Sequence, residues 1–172
     1  MAINVKKSCC MRIGPRCNNS CCAIVNASGL PLPWVNEMSY LGIHLLNSHM
    51  FKCSFDAAKR SFFRSVNAVF GKIGRSASEE IVLELVKRKC LPILMFGTEA
   101  CGMSNADKRS FDFAVTRFLM KLFRCSSKPI IDECMVYFKF KLPSELLEIR
   151  CRSFAAKLHD CKNTLHKLFV AN

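Results

Sequence analysis

The residues in this chain with chemistry to offer are mainly cations. Arg60, Arg64, Lys72 and Arg75 recur at near-helical steps, and Arg117, Lys121 and Arg124 repeat the pattern further on. Basic side chains three or four residues apart share a helix face. There they can straddle successive phosphates, and each phosphate neutralised releases condensed counterions. Lys6 and Lys7 add a cation pair near the N-terminus, with Lys7 read as a mobile cation at the start of a strand. A single basic row is ordinarily a solvated face. Two rows in a chain of 172 residues with a formal charge of +13 read as a surface for a polyanion, nucleic acid first and an anionic membrane second.

Other chemistries find little material. The chain has no Gly-x-Ser-x-Gly elbow, no phosphate-cradling glycine loop and no His-Glu-x-x-His pair. Glu79-Glu80 and Asp132-Glu133 are neighbours, so on a helix their carboxylates diverge by about 100° and make no metal clamp. Twelve cysteines include Cys9, Cys10, Cys17, Cys21 and Cys22 in one cluster, but no Cys-x-x-Cys. Cys17-x3-Cys21 and His49-x3-Cys53 have loose zinc spacing without a partner pair, and His159, Cys161 and His166 lack a second half. No metal site is therefore expected, and the cysteines read as reduced, small apolar residues. No secretory signal or transmembrane segment is read. The most apolar window, Cys90 to Gly97, is too short to span a bilayer and follows Lys87-Arg88-Lys89.

The elements that must position these residues divide into a short β region and a longer helical one. Residues 8–14 and 21–26 predict a hairpin with an irregular loop, followed by an extended stretch through Pro31–Pro33 and a third strand over about 38–46. From residue 53 the period becomes helical. Phe55, Phe62, Val66, Val69, Phe70 and Ile73 form one face, and Gly74 ends the helix. Ser76-Ala77-Ser78-Glu79 and Ser104-Asn105-Ala106-Asp107 predict capping boxes for the next two helices, and Pro92 should break the first of them. Phe111, Val115, Phe118 and Leu122 form the apolar stripe of the helix after Ser104. A short helix over about 130–138 and a long one from Pro143 complete the chain, the last with Leu147, Phe154, Leu158, Leu165 and Leu168 as its apolar edge. The expected class is α+β, mainly α: a hairpin or three-strand remnant followed by a bundle of about five helices.

Specific stretches carry a family likeness. They are Ile3-Asn4-Val5-Lys6-Lys7-Ser8, Arg12-Ile13-Gly14-Pro15-Arg16, Leu32-Pro33-Trp34-Val35 and Tyr40-Leu41-Gly42-Ile43. Further along come Lys59-Arg60-Ser61-Phe62, Gly71-Lys72-Ile73-Gly74, Cys90-Leu91-Pro92-Ile93-Leu94, Gly97-Thr98-Glu99-Ala100 and the run Arg117 to Arg124. In this order, over residues 2–126, the chain resembles the C-terminal part of the reverse transcriptase of a non-LTR (LINE-type) retrotransposon. The resemblance implies that residues 1–50 are the end of the palm, 51–126 the thumb and 127–172 a helical extension. It implies that Lys7 matches the family's candidate general-acid lysine near the incoming nucleotide. Tyr40, Leu41, Gly42 and Ile43 match the primer grip. Lys6, Lys7, Arg60, Arg64, Lys72, Arg75, Arg117, Lys121 and Arg124 face an RNA–DNA or DNA duplex.

One departure from the family pattern is decisive for the expected activity. Polymerases of this kind hold two magnesium ions on aspartates, and this sequence has no Asp-Asp pair; its first aspartate is Asp56. Fingers and the first half of the palm are missing too. The expectation is a truncated, intracellular fragment (nuclear or cytoplasmic), with no catalysis and no cofactor of its own, whose residual role is sequence-independent template–primer binding. Two rivals stand beside it. One is a stand-alone basic helical module that docks a protein or an anionic membrane. The other is one piece of an intact polymerase encoded upstream. Nothing in the sequence sets an oligomeric state.

Overall fold

The structure is a computed structural model and describes residues 3–74 and 76–160. It is mainly α, with short antiparallel strands before the helices. The chain divides into two compact units, Met1–Ala57 and Ala58–Asn172.

Among its described residues the first unit holds five strands in two small sheets. β1 (Ile24–Val25) pairs antiparallel with β2 (Pro31–Leu32). β3 (Glu37–Tyr40), β4 (Ile43–Leu46) and β5 (Lys52–Ser54) form an antiparallel meander. The expected pairing of 8–14 with 21–26 does not occur. Residues 8–14 contribute only an isolated bridge, Cys10 to Trp34, and β1 folds back on β2 instead. The cause is local turn chemistry. The Asn26 side chain accepts from the backbone N–H groups of Ser28 and Leu30, at 3.0 and 2.9 Å, and so closes a tight loop. A five-residue loop costs less entropy to close than the longer connection.

The expected single strand over 38–46 is also corrected: it is the β3–β4 hairpin. Its two-residue loop is Leu41-Gly42, with φ of 50° and 80°. Two consecutive positive φ values are what a type I′ hairpin turn demands, and Gly42 supplies the second without steric cost. Glu37 and His44, diagonal across this pair, approach to 2.9 Å.

The helices begin with α1 (Asp56–Ile73), which buries Phe62 and Val66 as the periodicity requires. α2 (Glu79–Leu85) passes into one π-helical segment (Val86–Cys90) and then α3 (Leu91–Leu94), with Pro92 in its first turn. The expected break at Pro92 is thus displaced upstream. A proline in the first turn donates no hydrogen bond that the helix needs, and the wide turn before it absorbs the irregularity. The capping box at Ser76 is not formed. Ser78 is the N-cap and makes no side-chain capping bond. The box at Ser104 is formed: Ser104 Oγ accepts from Asp107 N at 3.2 Å and Asp107 Oδ2 accepts from Ser104 N at 3.1 Å.

α4 (Asn105–Leu122) is the centre of the second unit. It buries Phe111, Val115, Phe118 and Leu122 and packs on α5 (Lys128–Tyr137) and α6 (Pro143–His159). On α6 the predicted apolar edge is buried only at its start. Leu147 is 5% exposed, whereas Phe154 and Leu158 are 38% and 45% exposed. Their burial would need α6 to stay on the core beyond its first three turns. Leu165 and Leu168 lie outside the described residues. No helix among the described residues is long and apolar enough to cross a membrane.

Candidate nucleic-acid interface

Two helices of the second unit bring the central cations together. α1 presents Phe63, Val66 and Asn67, and α4 presents Arg117, Phe118, Met120 and Lys121. Arg124, just past the end of α4, completes a cleft of about 660 Å³. Among the described residues no carboxylate lines it. Hydrogen bonds between the helices include Lys59 Nζ to Ser110 Oγ at 3.1 Å and Lys121 Nζ to Asn67 Oδ1 at 3.2 Å.

Each cation is held differently. The Lys121 ammonium also lies 5.1 Å from the centroid of Phe70, and the Arg117 guanidinium 5.7 Å from that of Phe113. Aromatic faces attract cations without neutralising them, so both charges remain available. Arg124 has φ of 52°. It occupies the left-handed position after the helix C-cap, where Cys125 N–H closes back to Met120 O at 3.1 Å. Glycine usually sits there because a Cβ makes the conformation costly. An arginine held in that conformation places a third cation at the mouth of the cleft.

Of the basic residues anticipated from the sequence, Arg117, Lys121 and Arg124 share this cleft. Arg60 and Arg64 are exposed on α1 but do not line it. At about 100° per residue, Arg60 falls about 20° from Asn67 around the helix, Arg64 about 60° and Lys72 about 140°. Phe63 and Val66 lie on the other side of Asn67 around the helix, so Arg60 sits at the outer edge of the cleft, and Arg64 and Lys72 point away from it. Arg75 lies outside the described residues.

Lys6 and Lys7 sit in the first unit, on a 3-10 turn (Val5–Lys7) rather than at the start of a strand. Asn4 Oδ1 accepts from Lys6 N–H at 3.0 Å, and this local bond favours the turn. Both lysines are exposed. Tyr40, Leu41, Gly42 and Ile43 form the tip of the β3–β4 hairpin, with Tyr40 60% and Leu41 75% exposed.

Sequence reasoning missed the groups that hold the cations: Asn67, Phe70, Phe113 and the Lys59–Ser110 bond. The available signal was Phe63 and Phe113 among the polar positions of their helices, both exposed at 39% and 62%. Elsewhere, Cys17, Cys53, Cys90 and Cys101 are buried, and burial pushes the Cys90 thiol pKa up. Among the described residues no group of three or more His, Cys, Asp or Glu is placed to hold a metal ion.

No protein-family model matches this chain, and comparison with curated proteins and with solved structures returns no match.

Proposed function

We propose that this chain is the palm-end and thumb portion of a non-LTR retrotransposon reverse transcriptase, retaining sequence-independent binding of an RNA–DNA or DNA duplex. Catalysis is not part of this reading, because the sequence lacks the paired aspartates that carry the metal ions in that family. The observation that carries the binding role is the α1/α4 cleft, where Arg117, Lys121 and Arg124 converge with no carboxylate among them. Such a surface gains affinity from counterion release and reads no base edges. The order of the family-like stretches, from the Asn4–Ser8 segment to the Arg117–Arg124 run, supports the parentage.

The test is duplex binding followed by fluorescence anisotropy as salt is raised. Each engaged phosphate contributes a slope of about −0.9 in log K against log salt. With Arg117, Lys121 and Arg124 alone engaged, affinity falls about forty-fold between about 50 and 200 mM salt. Reversing the charge at Arg60, Arg64, Arg117 and Lys121 flattens this slope and abolishes binding. Unchanged affinity in that variant, with its helical circular dichroism intact, removes the cleft as the binding surface. Binding to anionic vesicles without binding to duplex would replace this reading with that of a stand-alone interaction module.

A further inference from the structure

A second groove in the helical unit has a different character from the α1/α4 cleft. Its volume is about 410 Å³, inside the range of roughly 300–1,000 Å³ usual for small-molecule sites. Its floor is hydrocarbon: Leu91 and Pro92 from α3, Met95 just past its end, and Leu146 and Ile149 from α6. Its rim is cationic: Lys87, Lys139, Lys141 and Arg150, with no acidic residue among the lining side chains.

The four rim cations are not equivalent. Arg150 is matched by Glu99 at 2.8 Å, and Lys87 by Glu84 at 3.0 Å and by the carbonyl of Phe138 at 3.2 Å. These two act as fixed walls. Lys139 and Lys141 have no carboxylate partner among the described residues, so the rim carries an unmatched positive charge. Lys139 is also held in the left-handed region, with φ of 47°. It follows the C-cap of α5, where Lys139 N–H bonds to Val136 O at 3.1 Å and Phe140 N–H to Met135 O at 2.8 Å. Glycine serves this turn at lower conformational cost. Here the turn instead sets a lysine at the edge of an apolar floor.

We propose that this groove binds a long-chain carboxylate, its polymethylene tail lying on Leu91, Met95, Leu146 and Ile149 and its head group between Lys139 and Lys141. The floor and the rim choose between candidates. A nucleic-acid backbone would use the lysines but gain nothing from the hydrocarbon floor. A peptide laid on that floor would bury backbone N–H and C=O groups where the lining offers them no partner, at a cost. A polymethylene chain has no polar group to satisfy, and its one charge falls where the protein has charge to spare. The groove is separate from the cleft assigned to duplex, and its occupancy does not depend on that assignment.

The experiment is calorimetric titration of the whole chain with sodium dodecanoate below its micellar concentration. Acetate and dodecanol serve as head-only and tail-only controls. The expected result is saturable one-to-one binding with a negative heat-capacity change, and binding of both controls at least roughly tenfold weaker. Lys139→Gly and Lys141→Gln should each weaken dodecanoate binding by roughly tenfold, the usual effect of losing one charge-assisted contact. Lys139→Gly should leave the melting temperature equal or higher, because it relieves a left-handed residue. Ile149→Asp should abolish binding, and the two lysine variants decide the matter if that protein fails to fold. Arg117→Glu should leave dodecanoate binding unchanged. The proposal is overturned by an absence of saturation, by equal binding of dodecanol, by indifference to both lysine variants, or by displacement of dodecanoate by an acidic peptide that binds more tightly.

Discussion

Asp112, in the middle of α4, accepts a hydrogen bond from the backbone N–H of Ser144 at 2.9 Å. That N–H belongs to the first turn of α6, whose own N-cap is Leu142 and offers no side-chain bond. One helix thereby caps another, and the carboxylate also opposes the positive end of the α6 dipole.

Asp112→Ala should therefore behave as the loss of an N-cap, although it lies mid-helix on another element. The expected cost is about 1 kcal/mol in urea unfolding. Asp112→Asn, which keeps an acceptor but removes the charge, should recover part of it. A cost no larger for Asp112→Ala than for Asp132→Ala on α5 would show that the cross-cap carries no stability.

The two serine caps should separate cleanly. Ser104→Ala removes the Asp107 box and should cost about 1 kcal/mol. Ser78→Ala removes no capping bond, so its thermal midpoint should stay within error of the parent. Equal losses for both would contradict the asymmetry.

Arg150 and Glu99 set a pH dependence. Burial works to raise the Glu99 carboxyl pKa, but the Arg150 hydrogen bond and charge, with its own backbone N–H, hold it below its ordinary value. A carboxylate with a lowered folded pKa stabilises fully above the ordinary range and loses that contribution as pH falls through the lowered value. Arg150→Met should therefore destabilise most near neutral pH, by about 1 kcal/mol for a partly exposed pair. The difference from the parent should shrink as pH falls below the ordinary carboxylate range and Glu99 protonates in both proteins. A gap independent of pH would assign the effect of Arg150 to packing alone.

Arg124→Gly should separate stability from binding. It relieves a left-handed residue, so the melting temperature should hold or rise, by the equivalent of up to about 1 kcal/mol. It also removes one cation from the α1/α4 cleft, so the salt slope of duplex binding should become shallower by about 0.9. Loss of both stability and binding would mean that the arginine side chain supports the fold.

Legibility in the sequence followed the range of the forces involved. The faces of α1 and α4 and the Ser104 box rest on residues within four positions of each other, and each was readable. Leu41-Gly42 was the hairpin tip, yet the segment read as one strand because Met38 to Leu46 offers apolar residues on both sides of the turn. Ser76 matched the capping pattern as well as Ser104 did, but the helix starts two residues later. The cationic row Arg117, Lys121, Arg124 was visible, whereas its containment by Asn67 and Phe70 depends on how α1 meets α4. The Lys139–Lys141 groove draws on three separate stretches of chain, so no local pattern announces it.

The π-helical segment carries a consequence for the length of the chain itself. Val82, Val86, Cys90 and Leu94 are each at most 1% exposed, and they stand at strict four-residue steps. In a regular α-helix each such step overshoots a full turn by about 40°, so three steps would carry the row out of the core. The wide turn at Val86–Cys90 takes up the surplus and keeps both ends of the row inside. The segment is in effect an α-helix with one residue inserted. Deleting Arg88 or Lys89 converts the row to the four-three-four spacing of an ordinary helix. This is a one-residue shortening that the fold should absorb, whereas the same deletion in α4 would turn half of its buried stripe to solvent.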